Sequence, residues 1–115
     1  MKKVEFVPLK SDVEMPNGLQ WHDQSLYVID QKTDNIFILD EKGKMIEEFS
    51  TLCENGSGIT IGDNCIWLGS NGRTEARPFR GSDTHISWIL KIDMKSKKLI
   101  SRFPTPDGGG VHGLE

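Results

Sequence analysis

A single core pattern occurs twice in this chain, and its last residues begin the pattern again. Gly18-Leu19-Gln20-Trp21 leads into Ser25-Leu26-Tyr27-Val28-Ile29-Asp30, and Gly58-Ile59-Thr60-Ile61 leads into Asn64-Cys65-Ile66-Trp67-Leu68-Gly69. Val111-His112-Gly113-Leu114-Glu115 reads as the opening of a third copy. Such repetition constrains the fold strongly, because each copy is one supersecondary unit that buries its apolar face only against a neighbour. Gly18 and Gly58 stand 40 residues apart, as do Leu26 and Ile66, whereas Asp40 and Asp93 stand 53 apart and Phe49 and Phe103 54. The second copy therefore carries about 13 additional residues between Trp67 and Ile89, which we assign to one loop, 71–87.

Each copy reads as four short strands of β-branched and aromatic residues separated by turn residues. In the first they are Gly18–His22, Ser25–Asp30, Asn35–Asp40 and Lys44–Ser50. In the second they are Gly58–Gly62, Asn64–Ser70, Ser87–Asp93 and Lys97–Phe103. The last strand of each copy is the most polar, which suits an exposed edge, and no segment shows a 3.6-residue apolar period. Four-stranded units of this length fit the blades of a β-propeller. The expected fold is all-β: two four-stranded antiparallel blades of a six- or seven-bladed propeller, incomplete in this chain. Residues 1–10 form an outer closing strand, 16–52 the first blade, 56–106 the second with its insertion, and 111–115 the start of a third. On this reading the chain is an N-terminal portion of a longer ring.

At 115 residues there is room for one domain. A formal charge of −3 with dispersed basic residues gives no reason to expect nucleic-acid binding. Lys95-Ser96-Lys97-Lys98 is a solvated turn. Cys53 and Cys65 are too few for a disulfide framework and lack zinc spacing; Cys65 reads as a buried free thiol. No signal peptide or membrane span precedes the first strand, so no membrane association is expected and the cytoplasm is the default location.

Pro16-Asn17-Gly18-Leu19, Leu26-Tyr27-Val28 and Gly43-Lys44-Met45-Ile46-Glu47-Glu48-Phe49 are three further segments of note. Together they resemble the streptogramin (virginiamycin B) lyase family and the broader regucalcin/gluconolactonase-like propellers. Phe103-Pro104-Thr105-Pro106 followed by His112-Gly113-Leu114 is similar to that family's junction between blades. The resemblance implies a lyase- or lactonase-type enzyme acting on a small polar or cyclic ester substrate. It also implies a divalent cation, Mg2+ or Ca2+, and no organic cofactor. Regucalcin-like enzymes carry a metal-binding glutamate in an E-x-P-x-W signature; here Glu14-Met15-Pro16 is followed by Trp21, with the tryptophan displaced, so that role is not transferred to Glu14.

Propeller topology brings the loop entering each inner strand and the loop joining the second and third strands to one mouth, a usual place for a ligand. The candidate catalytic residue is His112, a proton carrier near neutrality that follows three glycines. Candidate substrate-binding residues are Asn17, Ser57, Arg73, Arg77 and Trp88. Arginine's fork of donors suits an anionic group; the bland alternative is that the insertion's arginines pair with Glu75, Asp83 or the neighbouring blade. Asn17 and Asn71 are the candidate metal ligands, with Asp30 and Asp34 offering further oxygens of the kind hard cations prefer. Asp40 and Asp93, each before a turn, read as caps, and His22 as a structural residue at the opposite end. Trp21 and Trp67 are expected to pack between blades. Two other readings stay open: a propeller that binds a small molecule or peptide without turnover, and a two-blade protomer that trimerises into a lectin-like ring. The expected partners are a small-molecule ligand and either missing blades of the same chain or further copies of it.

Overall fold

Eight strands form in the computed structural model, which describes residues 13–106. They are β1 (Pro16–His22), β2 (Ser25–Asp30), β3 (Asn35–Leu39) and β4 (Met45–Ser50), then β5 (Gly56–Gly62), β6 (Cys65–Ser70), β7 (Trp88–Asp93) and β8 (Leu99–Pro104). These match the expected strands with ends shifted by two residues at most. They build two antiparallel four-stranded sheets, β1-β2-β3-β4 and β5-β6-β7-β8, each in chain order. No helix occurs among the described residues, so none there is long and apolar enough to cross a membrane. The expected closing strand at 1–10, the third copy at 111–115 and His112 lie outside the described residues.

Local chemistry explains the turns. The β1–β2 and β5–β6 hairpins close through two residues that both take positive φ, Asp23 (49°) with Gln24 (66°) and Asp63 (58°) with Asn64 (59°). That conformation matches the right-handed twist of the flanking strands. Asp40 caps the β3–β4 turn, accepting from the backbone N–H of Lys42 at 2.8 Å and of Lys44 at 2.9 Å. Asp93 does the same for Ser96 at 2.7 Å. These backbone donors, Lys44 foremost for Asp40 and Ser96 for Asp93, hold both carboxyls below the ordinary value.

The repeat extends to its irregularities. Register shifts between Pro16 and Gly18 in the first sheet and between Gly56 and Gly58 in the second, leaving Asn17 and Ser57 as the extra residues of two equivalent β-bulges. A second pair of shifts falls at Ile38/Leu39 and Lys91/Ile92. Matching defects at matching offsets identify the sheets as copies more firmly than matching strands do.

Alternation along the strands gives each sheet two faces, and one face of each meets the other sheet. Tyr27, Ile29, Ile36 and Ile38 of the first sheet form a single buried cluster with Ile59, Ile66, Leu68, Leu90 and Ile92 of the second, joined by Cys53 from the connector. Gly18 lets β1 lie against β5: a Cβ there would stand 2.6 Å from the Ser57 carbonyl oxygen. Val28, Phe37 and Leu39 make a second cluster on the far face of the first sheet, with Val13 and Leu26. Trp21 belongs to that far face and takes no part in the contact between these two sheets, because β1 pairs it with Leu26; it is 56 % exposed. Trp67 likewise turns away from the shared core, half-buried, with the Lys91 ammonium 5.2 Å from its ring centre. Cys65 is buried with a free thiol, and β4 and β8 are largely exposed, as expected.

Candidate functional site at the loop-bearing end

The starts of β1 and β5, the β2–β3 turn, the connector 51–55 and the insertion 71–87 meet at one end of the two sheets. The connector is the hub. Asn17 Nδ2 donates to the Gly56 carbonyl at 3.0 Å, the Asn71 N–H to the Asn55 carbonyl at 2.9 Å, and the Gly72 N–H to the Glu54 carbonyl at 3.2 Å. Gln31 of the β2–β3 turn hydrogen-bonds the Asn55 side chain. Asn17, Ser57 and Asn71 thus lie together around residues 54–57.

Three buried carboxylates fix the insertion to this hub. Asp34, fully buried and at φ 58°, accepts from the Asn55 N–H at 3.1 Å, the Gly56 N–H at 2.8 Å and Arg77 Nε at 2.7 Å. Arg77 also grips Asp83 through both terminal nitrogens, at 2.9 and 2.8 Å. Glu54, 1 % exposed, accepts from the backbone N–H groups of Thr84 at 2.7 Å and His85 at 2.6 Å and from the Thr84 hydroxyl at 2.7 Å. Arg80 donates to the carbonyls of Thr51 at 3.1 Å and Cys53 at 2.9 Å. The insertion is therefore an ordered strap across the preceding repeat, although 71–87 contains no strand of its own.

Electrostatics follow from this wiring. The hydrogen bonds from Arg77 hold the Asp83 carboxyl well below the usual carboxylate range, against the opposing effect of burial. The same bonds, Asp83's before Asp34's, make the Arg77 guanidinium harder to deprotonate than usual. Burial first, and the Asp34 charge second, push the Cys53 thiol up; it stays protonated and is no nucleophile.

The expected site residues divide in two. Arg77 is consumed by Asp34 and Asp83, the pairing that stood as the bland alternative. Trp88 packs against the shared core, donating from its indole N–H to the Thr84 hydroxyl at 2.7 Å, with Arg102 stacked 4.3 Å from its ring centre. Ser57 is buried at its bulge. Arg73 is exposed: its guanidinium lies 5.2 Å from the ring centre of Phe79, and no carboxylate pairs with it among the described residues. His85 meets the same ring edge-on at 4.7 Å. An open groove of about 260 Å³ runs here, lined by Arg73, Glu75, Pro78 and Phe79 among others. Phe79, His85 and Glu54 escaped the sequence reading; Glu54 reaches partners 30 and 31 residues away, and nothing local marks it.

The oxygens available to a divalent cation are few. Asn71 Oδ1 is buried without a hydrogen-bond partner, and Asn17 keeps its Oδ1 while its amide nitrogen donates. Asp34 is committed to three donors, and Asp30 accepts from the Met15 N–H at 2.8 Å, the Lys32 N–H at 3.2 Å and the Thr33 hydroxyl at 3.1 Å. Two neutral amide oxygens fall short of the six or more oxygens, carboxylates among them, that Ca2+ takes. The described residues do not by themselves fit such an ion. Compared with known protein families and with characterised proteins, the chain matches none.

Proposed function

We propose that the two sheets are consecutive blades of a β-propeller, and that their loop-bearing end is the mouth of a site for a small anionic molecule. The observation that carries this reading is Arg73. It stands on a strap already ordered by buried ion pairs, so little conformational entropy remains to be lost on binding. Its planar donors meet no carboxylate among the described residues and suit a carboxylate or phosphate, and Phe79 beside it offers an apolar face to the rest of the ligand. The resemblance to lyase- and lactonase-type propellers supports an enzyme acting on a cyclic ester, in which His112 moves the proton and Arg73 orients the anionic group. The rival reading is binding without turnover: Asp30, Asp34, Glu54 and Asp83 are all spent on internal donors, which leaves Glu75 and His85 beside the groove as the titratable groups that turnover would have to use.

Titration calorimetry of the chain with small carboxylates, phosphates and lactones tests both readings. Arg73→Ala should weaken binding of the anionic members at least tenfold, about 1.4 kcal/mol; equal affinity in the variant would remove the anion site. Product formed from the lactones in Mg2+ or Ca2+ and lost with chelator would select the enzyme, and unchanged ligand the binding module.

A further inference from the structure

The insertion brings two exposed donors together at its neck. A Cβ on Gly72, which takes φ 91°, would stand 3.2 Å from the Ser87 hydroxyl oxygen and 3.3 Å from the backbone of Ile86 and Ser87. The two ends of 71–87 therefore lie against each other, which brings Arg73 and His85 close although they are far apart in sequence. Glu54 holds both sides of this neck. Its backbone carbonyl accepts the Gly72 N–H at 3.2 Å, and its carboxylate accepts the His85 N–H at 2.6 Å. Asn55 beside it donates from its side chain to the Arg73 carbonyl at 3.5 Å. His85 takes φ 64°, a left-handed conformation uncommon for a residue other than glycine. Such a conformation persists where the surroundings fix it, and the buried Glu54 carboxylate fixes it here.

Phe79 is the ring that both side chains meet. The Arg73 guanidinium carbon lies 5.2 Å from its centre, and the His85 ring lies 4.7 Å away at 65° to its plane. Arg73 and His85 are thus no farther apart than those two distances laid end to end. Phe79 itself follows Arg77, gripped by Asp34 and Asp83, and precedes Arg80, which donates to the carbonyls of Thr51 and Cys53. The His85 imidazole is exposed and has no hydrogen-bond partner among the described residues. Imidazole donates one N–H when neutral and two when protonated, so it serves an acceptor in either state. Arg73, Phe79 and His85 together offer donor, apolar ring and donor, and the matching ligand has an acceptor at each end and an apolar middle. Glu75 also lines the groove and disfavours negative charge anywhere but at those two donors.

We propose that the Arg73 site takes an extended dianion of the α,ω-dicarboxylate class, with His85 as the residue that reads its second end. One carboxylate sits on the Arg73 fork, the hydrocarbon lies on Phe79, and the other carboxylate accepts from the imidazole. The proposal rests on the anion site proposed above and names its ligand class and a second residue that selects it.

Titration calorimetry decides it, with succinate, adipate and suberate as two-ended probes and butyrate, hexanoate and octanoate as their one-ended counterparts. The wild-type chain should bind its best dicarboxylate about tenfold more tightly than the monocarboxylate of equal length, the worth of one hydrogen bond to a charged group. His85→Gly removes the imidazole and suits the positive φ. It should lose that preference and bind the monocarboxylates as before, and His85→Gln, which keeps an N–H donor, should restore part of it. Arg73→Ala should weaken both series. Circular dichroism checks each variant; His85→Asn, shorter and tolerant of the same conformation, replaces His85→Gly if the β spectrum is lost. Monocarboxylates bound through Arg73 with no preference for two ends, or a preference that survives loss of the imidazole, would overturn the dicarboxylate assignment and leave the anion site standing. Binding of neither series, or binding indifferent to Arg73→Ala, would overturn both.

Discussion

Arg77 sits between two buried carboxylates, and its removal would leave Asp34 without a cation and Asp83 with only the more distant Arg80, 3.7 Å away. Breaking a buried pair by deleting one partner costs about 3–5 kcal/mol, so Arg77→Ala should lose that much stability in urea titration, while the exposed Arg73→Ala should change it by less than about 0.5 kcal/mol. Equal effects of the two would contradict the strap described here. The same pair sets a pH dependence. Asp83 is held below its unfolded value of 3.8, so as pH falls the unfolded chain takes up the proton first. Its contribution is complete above that value and is lost as pH drops through the lower, folded one. The wild-type urea midpoint should therefore hold steady from pH 7 to about 5 and fall below about pH 4; Asp83→Asn should start lower and fall less. The sequence made Asp83 a natural partner because it lies six residues from Arg77. It could not show Asp34, 43 residues distant, since that pairing exists only once the sheets have docked.

Among the elements, strands and hairpin turns were readable because their signals are local: alternation, β-branched runs, and Asp with Gln or Asn at positions of positive φ. The bulges at Asn17 and Ser57 were not, because a bulge is a mismatch between two strands and leaves no composition mark on either. The insertion was located by spacing alone, yet its order comes from Glu54 and Asp34, outside it. Gly18 shows how an element-level contact hides in one residue. Its absent Cβ is what allows β1 to approach β5, and the obstacle is the Ser57 backbone oxygen, which cannot swing aside as a side chain would. Gly18→Ala should therefore cost about 1–3 kcal/mol by overpacking. Gly62→Ala, at a strand end with nothing within 4 Å of the new carbon, should be neutral to within about 0.5 kcal/mol. Urea midpoints of the two variants compare them directly, and a neutral Gly18→Ala would mean the sheets are farther apart than described.

For the molecule as a whole, the repeat made the two four-stranded sheets legible, but not which side chains the docked pair would leave outside. Trp21, expected to pack between blades, lies by its register on the face of the first sheet turned away from the second. The two sheets nevertheless share one buried cluster, in which Leu68 of the second packs in the same core as Ile29 and Ile36 of the first. Neither sheet has a second partner for those side chains among the described residues, so opening one exposes the other's core face, and the pair should unfold in a single transition. The chain's three tryptophans report on the sheets separately, Trp21 on the first and Trp67 and Trp88 on the second. Phenylalanine replacements that leave Trp21 or Trp67 alone should give coincident urea midpoints at submicromolar concentration, below any association. Leu68→Ala should then lower both midpoints together, by the equivalent of about 2–5 kcal/mol, although the substituted residue belongs to the second sheet. If the Trp21 signal held its midpoint while the Trp67 signal moved, the sheets would be independent units, and the shared core could not be what holds the strap, its ion pairs and Arg73 in register.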